Sequence, residues 1–326
     1  MLRKVALEEH FAIPETMEGA LLYGRDSPSV LGIPERLLDM MDYRLMEMDE
    51  NGIELTILSL NSPAIQEIYK VPDAIETARI ANDRLAETVE KRRTRFRGFA
   101  ALPMQDPEAA ILELRRAVTE LGMLGVLVNG FSQIDSPDND VYLDDRRYDP
   151  FWSELQKLDV PFYLHPREPM PGNVKMLENH YWLHGAAWAF GVDTSTHALR
   201  MMSSGIFDRY PRLKLLIGHL GEGLPFLVWR CDNMLSKRKR GMPAKHLMAY
   251  YMNKNVWVTT SGQFHTPPLI CTMLQMGADR ILFSTDYPFE EISDASNWFD
   301  ACPISESDKR KIGRQNAIDL FKLDIR

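Results

Sequence analysis

Several side chains that can bind a divalent metal ion stand at the ends of segments that we predict to be buried strands. Arg280–Asp286 is one such segment, because Ile281–Phe283 is a continuous apolar run and Pro288 cannot continue a hydrogen-bonded ladder. Asp286 would then lie at the carboxyl end of a strand, where α/β proteins gather their catalytic groups. A lone aspartate would more simply cap the following turn, so its meaning depends on partners at other strand ends.

Three histidines and a glutamate hold similar positions on other predicted strands. Glu8 and His10 are two residues apart in the first strand, and the two-residue period of a strand places both side chains on one face. His165 and His219 each follow an apolar run. One such histidine alone would more simply be structural, but convergence of all four residues with Asp286 favours a metal site. A site built from two of these imidazoles and the two carboxylates would suit Zn²⁺ or Mn²⁺. The ligand types do not distinguish these two metals.

His219 also has a carboxylate close to it in the chain. Glu222 follows His219 by three residues across a glycine turn, and such a pair can transfer protons. Glu222 would equally serve as a first-turn residue of the helix that Pro225 opens. Arg230 on that helix could bind an anionic ligand or pair with a neighbouring subunit. The other histidines lie in predicted loops or helices: His180, His184, His197, His246 and His265. His180 and His184 have helical spacing but no carboxylate in a zinc-protease arrangement, so they are interpreted as pocket walls or core.

Eight predicted strands position these residues, and predicted helices separate them. The strands are Lys4–His10, Ile53–Leu60, Arg97–Leu102, Gly125–Asn129, Val160–His165, Leu213–His219, Asn255–Gly262 and Arg280–Asp286. The predicted helices include Arg36–Gly52, Asp73–Arg92, Asp106–Leu121, Pro150–Leu158 and a helix around Ser195–Met202. Short apolar strands that alternate with helices are typical of a closed parallel (β/α)8 barrel, the TIM barrel.

A doubly wound open sheet is the competing architecture, and the first strand argues against it. That fold normally has a glycine-rich first turn, where this chain has Glu8-Glu9-His10. We therefore predict one barrel domain over residues 1–326, a usual length for this fold with insertions. The loops Phe11–Pro34 and Pro166–Asp193, after the first and fifth strands, are long, and we expect them to form a lid and specificity walls over the ligand.

Composition and charge narrow the kinds of partner. The formal net charge of −8 gives no electrostatic case for nucleic acid or an anionic membrane, and the basic run 237–240 is interpreted as a solvated helix end. No stretch approaches the ~18 apolar residues of a membrane-spanning helix. Cys231, Cys271 and Cys302 are widely spaced and odd in number, which favours a reducing compartment. We expect a cytoplasmic protein with a small-molecule partner.

Segments at the strand ends resemble those of a known family. The segments are Val5–His10, Tyr163–Arg167, Ile217–Phe226 and Ile281–Glu290. They are similar to the γ-resorcylate (2,6-dihydroxybenzoate) and 2,3-dihydroxybenzoate decarboxylase family, the nonoxidative aromatic-acid decarboxylases of the amidohydrolase superfamily. The resemblance covers essentially the whole chain, and Glu8-Glu9-His10 resembles the resorcylate branch.

The resemblance implies both an activity and a role for each residue. The implied metal ligands are Glu8, His10, His165 and Asp286; the implied proton-transfer groups are Asp286, His219 and Glu222; the implied substrate-binding residues are Arg230 and Phe289. The implied protein is a homotetramer with one divalent ion per subunit, Zn²⁺ or Mn²⁺, and no organic cofactor. The implied reaction converts an ortho-hydroxylated benzoate, such as 2,6-dihydroxybenzoate, 2,3-dihydroxybenzoate or salicylate, reversibly to the phenol and CO2. Two alternatives are a hydrolase of the same superfamily that acts on a lactone or amide, and a barrel that only binds a ligand.

Overall fold

Eight parallel strands form a (β/α)8 barrel in the computed structural model, which describes residues 2–17 and 32–325. The barrel strands are β1 Lys4–Phe11, β2 Ile53–Leu60, β3 Phe96–Ala100, β4 Gly125–Asn129, β7 Phe162–His165, β8 Leu215–Ile217, β9 Val256–Thr259 and β10 Ile281–Leu282. They are hydrogen-bonded in that order, which is the order of the chain. A separate antiparallel pair, β5 Ser132–Gln133 and β6 Asp140–Val141, follows β4.

Helices surround the barrel and connect its strands. They are α1 Ile33–Leu38, α2 Asp42–Glu50, α3 Val71–Lys91, α4 Pro107–Thr119, α5 Asp149–Leu158, α6 Ala189–Ser203, α7 Ile206–Arg209, α8 His219–Glu222, α9 Leu224–Lys237, α10 Met248–Asn255, α11 Thr266–Met276, α12 Ile292–Ala301, α13 Glu306–Arg310 and α14 Asn316–Phe321. The short segment α8 is a turn and not a regular helix, because all four of its residues have positive φ angles. Among the described residues, none of these helices is long and apolar enough to cross a membrane.

The two faces of each strand belong to different apolar layers. On β1, Val5 and Leu7 face the lumen and Ala6 packs outward against the helices. This alternation follows from the two-residue period of a strand. The inner layer is continued by Leu55, Ile57, Phe99, Leu127, Tyr163, Leu216 and Leu282. The C-terminal helix α14 closes the bottom of the lumen, where Phe321 packs on Phe99 with ring centroids 5.6 Å apart.

A β-bulge interrupts β1 near its carboxyl end. Leu7 pairs with Ile57 and Glu9 pairs with Leu58, so Glu8 is an additional residue without a partner in the ladder. The φ angle of Glu8 is +79°, in the left-handed region that residues other than glycine rarely occupy. A bulge of this kind redirects the side chains that follow it.

The seam between β1 and β10 is held without a shared ladder in the described residues. The His10 N–H donates to the Tyr287 carbonyl at 2.7 Å, and the Leu7 N–H donates to Ser284 Oγ at 3.1 Å. The Thr285 N–H donates to Glu9 Oε1 at 2.7 Å. The barrel is therefore closed at this seam by hydrogen bonds from the backbone to side chains as well as between backbone groups.

Several predicted elements differ from the structure. The sixth barrel strand ends at Ile217, so His219 lies in the turn after it and does not end the strand as predicted. The predicted helix Arg36–Gly52 is two helices, because the Asp39 carboxylate accepts backbone N–H bonds from residues 41–44 and starts α2 afresh. The helix predicted around Ser195 begins at Ala189. The last strand ends at Leu282, so Asp286 lies on the loop after it.

The two predicted long loops are described to different extents. Of the loop Phe11–Pro34, residues 18–31 lie outside the described residues. The segment after β7 contains four short 3-10 turns before α6 begins. Glu168 fixes this segment by accepting hydrogen bonds from the His184 ring and from the Gly185 N–H.

Candidate metal centre and active site

The bulge in β1 decides which side chains reach the site. Leu7 already faces the lumen, so regular alternation would turn Glu8 outward and Glu9 inward. Because Glu8 is the additional residue, its carboxylate also points into the lumen, where the Tyr163 hydroxyl donates to it. His10 faces the same centre, and its Nε2 lies 3.2 Å from Asp286 Oδ1. The structure thus brings Glu8 and His10 together, but through an irregularity of the strand.

Four potential ligands converge above the lumen. Their ligand atoms all lie within 4.8 Å of one another and belong to Glu8, His10, His165 and Asp286. His165 Nε2 lies 3.5 Å from Glu8 Oε1, and the rings of His10 and His165 meet edge to face with centroids 4.6 Å apart. The Asp286 backbone has a φ of +66°, which aims its carboxylate back at the cluster after the strand has ended.

The surroundings of Glu8 fit a bound cation. Its Oε1 is buried and accepts no hydrogen bond from the described residues, which is costly for a carboxylate oxygen without a positive partner. Gly218 makes room for the carboxylate, because a Cβ at that position would stand 2.6 Å from Oε1. The donor set of two imidazoles and two carboxylates suits one divalent ion of the first transition series.

Burial shifts the pKa of two of the proposed ligands, Glu8 and His165. Burial raises the pKa of Glu8, although nearby His219 opposes this effect. Burial and the neighbouring His10 lower the pKa of His165 well below its ordinary value. A neutral His165 imidazole keeps a ring nitrogen lone pair available for a metal ion.

His219 and Glu222 form a hydrogen-bonded pair beside these ligands. His219 Nδ1 lies 2.7 Å from Glu222 Oε1, and its Nε2 lies 3.4 Å from Asp286 Oδ2. Burial alone would lower the pKa of His219, but Glu222, Glu8 and Asp286 outweigh burial and raise the pKa well above its ordinary value. Burial would raise the pKa of Asp286, but its hydrogen bonds to His10 and His219 hold the pKa well below the usual range. These pKa directions favour a protonated His219 beside an ionised Asp286.

A cavity of about 700 Å³ opens beside His219, a volume suited to a small aromatic ligand. Its described lining includes Trp188, Phe190, Glu222, Leu227 and Gln263. The chain from the long segment after β7 into α6 thus forms one wall, where a specificity wall was predicted.

The two predicted substrate-binding residues occupy different places. The ring of Phe289 lies edge to face on His10 with centroids 5.6 Å apart, so it borders the ligand cluster. Arg230 lies on the exposed face of α9 and makes no hydrogen bond or ion pair within the described part of the chain. This subunit alone does not bring Arg230 to the ligand cluster.

Several residues at the site were missed by the sequence interpretation. Glu9 accepts hydrogen bonds from the Thr285 N–H and hydroxyl and so fixes the loop that carries Asp286. Burial raises the pKa of Glu9 to about 8 despite these hydrogen bonds. Three hydroxyl groups surround Glu8 and belong to Tyr163, Thr259 and Ser261. A usable signal was the hydroxyl run 259–261, which comes directly after an apolar strand segment.

Comparisons with known proteins agree with this architecture. The family model described as "Amidohydrolase" matches residues 24–323. A γ-resorcylate decarboxylase of Polaromonas sp. (strain JS666 / ATCC BAA-500) is 54% identical over 325 residues, which cover 98% of this chain and 99% of the relative.

Two crystal structures are also similar over their whole length. One is a 2,6-dihydroxybenzoate decarboxylase in complex with 2,6-dihydroxybenzoate, with a TM-score of 0.96, 53% identity and coverage of 99% of this chain and 100% of that one. The other is a dihydroxybenzoic acid decarboxylase from Polaromonas sp. JS666 with bound manganese and the inhibitor 2-nitroresorcinol, with a TM-score of 0.95, 53% identity and coverage of 100% and 98%.

The fold and the ligand cluster define a barrel protein built to hold one divalent metal ion at the carboxyl ends of its strands. The chain belongs to the amidohydrolase family, within the branch that includes the γ-resorcylate decarboxylases.

Proposed function

We propose that this protein is a metal-dependent decarboxylase of ortho-hydroxylated benzoates, with 2,6-dihydroxybenzoate as the first candidate and 2,3-dihydroxybenzoate and salicylate next. The observation that carries the proposal is the cluster of Glu8, His10, His165 and Asp286 beside the His219–Glu222 pair. It occurs in a chain that is 54% identical, over nearly its whole length, to a protein named for this activity. At high bicarbonate the same site would carboxylate the phenol.

The ligand cluster and the pocket walls would together orient the substrate. One divalent ion held by the four ligand side chains, Zn²⁺ or Mn²⁺, would supply positive charge for the carboxylate and phenolate oxygens of the substrate. The protein then restricts the ring, because Phe289 borders the cluster and Trp188 and Phe190 line the cavity wall. No organic cofactor is required, since the ortho hydroxyl already supplies electron density to the ring carbon that must be protonated.

Asp286 is the proposed proton donor to the ring. It delivers a proton to the carboxyl-bearing carbon, which gives a nonaromatic intermediate. The bond to the carboxyl group then breaks, its electron pair restores the aromatic ring, and CO2 leaves. His219 supplies the proton to Asp286, since its Nε2 faces Asp286 Oδ2 at 3.4 Å, and Glu222 holds the opposite ring nitrogen.

The proposed assembly is a homotetramer. Helix α9 exposes Phe226, Leu227 and Trp229 on the side of the molecule where Arg230 also lies. A cluster of exposed large apolar side chains is typical of a protein interface. In this assembly the Arg230 helix would border the pocket of a neighbouring subunit, where the guanidinium could bind an anionic ligand.

The proposed location is the cytoplasm. Cys231, Cys271 and Cys302 are all free thiols in the fold, which is consistent with a reducing compartment. Apart from the neighbouring subunits of the tetramer, the hydroxybenzoate substrate is the only partner that the proposal requires. The acidic net charge of −8 supports neither nucleic acid nor an anionic membrane as a second partner.

The decisive experiment is a CO2-release assay on purified protein loaded with Mn²⁺ or Zn²⁺. The substrates are 2,6-dihydroxybenzoate, 2,3-dihydroxybenzoate and salicylate, and 3-hydroxybenzoate is the matched control because it lacks the ortho hydroxyl. We expect CO2 and the corresponding phenol from at least one ortho-hydroxylated acid and none from the control.

Other outcomes distinguish the alternatives. Turnover of a lactone or an amide without CO2 release would identify a hydrolase of the same family. Metal binding without turnover of any hydroxybenzoate would leave a ligand-binding barrel and overturn the proposal.

A further inference from the structure

The two oxygens of the Glu8 carboxylate have different surroundings. Oε2 contacts three hydroxyl groups: those of Tyr163 and Ser261, and that of Thr259 at 2.9 Å. Oε1 has no hydrogen-bond partner among the described residues, and it faces His165 Nε2 at 3.5 Å and His219 Nε2 at 4.0 Å. One oxygen is thus held by the protein, and the other is directed toward the imidazoles.

The three hydroxyls also contact one another. Thr259 Oγ1 lies 2.8 Å from Tyr163 Oη and 2.8 Å from Ser261 Oγ, and Ser261 Oγ accepts the His219 N–H at 3.2 Å. Each hydroxyl carries one proton to donate, whereas an ionised carboxylate oxygen can only accept. Glu8 Oε2 therefore stands at the accepting end of a small hydroxyl cluster. Rotation of the carboxylate away from the cluster would leave at least one buried hydroxyl donor unpaired, because three hydroxyls in a row can make only two hydrogen bonds among themselves.

The backbone adds a second restriction on Glu8. Gly218 lies against the carboxylate, since a Cβ there would come within 2.6 Å of Oε1 and 2.8 Å of Oε2. The Tyr163 and Thr259 side chains are fully buried, so their hydroxyls have no access to solvent as an alternative partner. The cluster is consequently a fixed part of the barrel interior.

We propose that the hydroxyls of Tyr163, Thr259 and Ser261 position Glu8 as a ligand through Oε1 alone, and thereby set the affinity and the choice of metal at this site. The inference rests on the proposed metal centre. Since Ca²⁺ favours many oxygen ligands and often binds both oxygens of a carboxylate, holding Oε2 within the cluster disfavours Ca²⁺ relative to Mn²⁺ or Zn²⁺.

The test measures metal dissociation constants on metal-free protein by chelator competition. Tyr163→Phe, Thr259→Val and Ser261→Ala each remove one hydroxyl and nearly conserve side-chain shape. We expect each to weaken Mn²⁺ binding about 10- to 100-fold, the usual range for residues that orient a metal ligand. We also expect the ratio of Ca²⁺ to Mn²⁺ affinity to rise in each variant.

Two matched controls separate positioning from general destabilisation. Thr259→Ser keeps a hydroxyl at the same place, so it should bind Mn²⁺ with near wild-type affinity, unlike Thr259→Val. Tyr148→Phe removes another buried phenol hydroxyl, one that donates to the Met104 carbonyl at 2.9 Å, and should leave metal affinity unchanged even if the melting temperature falls.

The outcomes distinguish this inference from the proposed function. If the wild-type protein binds Mn²⁺ tightly and the three variants bind it equally well, the positioning role is wrong and the metal centre stands. If the wild-type protein binds no divalent ion, both proposals fail. Should Tyr163→Phe not fold, the pair Thr259→Val and Thr259→Ser still decides the question.

Discussion

Both oxygens of Asp286 are engaged by imidazoles, with Oδ1 facing His10 and Oδ2 facing His219. These contacts stabilise the ionised carboxylate, whereas the carboxylates around His219 stabilise its protonated ring. Before substrate binds, the proton is therefore expected on the His219 imidazole and not on Asp286. Asp286 can donate to the substrate only after the proton has moved from His219, which makes the pair a relay.

Replacement of Asp286 tests this relay. Asp286→Asn keeps the size of the side chain and one oxygen but removes the acid, so we expect turnover to fall about 10²- to 10⁴-fold, the range that general acid catalysis contributes. Metal content and substrate binding should remain substantial. The measurement is the rate of CO2 release together with elemental analysis of the same preparation.

A complementary variant and an exchange experiment complete the comparison. His219→Asn should be impaired in the same step, which ring-proton exchange of the phenol product in D2O would reveal. A metal-replete Asp286→Asn enzyme with a near wild-type rate would assign Asp286 as a ligand only and make His219 the next candidate for the acid.

Metal content should depend on each predicted ligand. His165→Ala removes a buried neutral imidazole that faces Glu8 Oε1, so we expect the metal-to-subunit ratio and the activity to fall together. His180→Ala is the matched control, because His180 lies exposed on the segment after β7 and outside the cluster. Loss of activity at full metal occupancy would remove His165 from the ligand set.

At the scale of single residues, the sequence predicts the side chains at the strand ends better than the groups that surround the ligands. His165 ends an apolar strand, so its place on the rim was predictable from the pattern alone. The contact of the Tyr163 hydroxyl with Glu8 was not predictable, because an aromatic residue within an apolar strand is most simply core. Glu9 was not assigned a role because its partner Thr285 is brought to it only by closure of the barrel.

At the scale of elements, helix α6 combines a pocket wall with a buried histidine. Gly191 and Ser195 line the cavity, while His197 faces the interior and accepts the Leu143 N–H through Nε2 at 2.9 Å. Burial and the nearby Arg200 lower the pKa of His197 to about 3. Protonation of this ring would break the hydrogen bond and place a charge in the core.

The stability of the fold should therefore fall in mild acid. Because the pKa of His197 is lower in the folded state than its unfolded value of about 6.5, its contribution is complete above pH 6.5 and is lost as the pH falls toward 3, at about 1.4 kcal/mol per pH unit. His197→Gln can still accept a hydrogen bond but does not titrate. Urea unfolding between pH 7 and 4.5 should give a shallower pH dependence for this variant.

His180→Gln serves as the control, because it makes the same replacement at an exposed position outside the core. Its unfolding free energy should follow the wild-type curve at every pH. An identical slope for His197→Gln and the wild type would show that another group causes the acid sensitivity.

Element boundaries were predictable where one strong signal dominates. Gly125–Asn129 and Ile53–Leu60 match the structure because turn residues bracket short segments rich in apolar and β-branched residues. The break between α1 and α2 was missed, since helical spacing of apolar residues continues across Asp39 although its carboxylate starts a new helix. The bulge at Glu8 was missed for a related reason: period-two alternation cannot indicate where one extra residue is inserted.

At the scale of the whole molecule, the exposed face of α9 should govern assembly. Phe226 and Trp229 are 78% and 69% exposed in the single subunit, an unusual state for large aromatic side chains. Trp229→Lys should dissociate the proposed tetramer and reduce activity if Arg230 serves a neighbouring pocket. Analytical ultracentrifugation at the assay concentration is the measurement.

An equally exposed leucine on another helix provides the control. Leu112 on α4 is 67% exposed, so Leu112→Lys introduces the same charge at a distant surface and should leave the assembly intact. A fully active wild-type monomer at the assay concentration would refute the tetramer.

The seam between β1 and β10 has a consequence for the motions of the barrel. Glu8 and His10 lie on one side of it and Asp286 on the other, so a metal ion bound by all three would link two strands that share no ladder among the described residues. In hydrogen–deuterium exchange, loading with Zn²⁺ should slow the amides of Leu7, His10 and Thr285, and leave β3 and β4 unchanged. Uniform protection of all strands would indicate a global effect instead. Slower exchange confined to the seam would show that transient opening of the metal-free barrel begins at its active site.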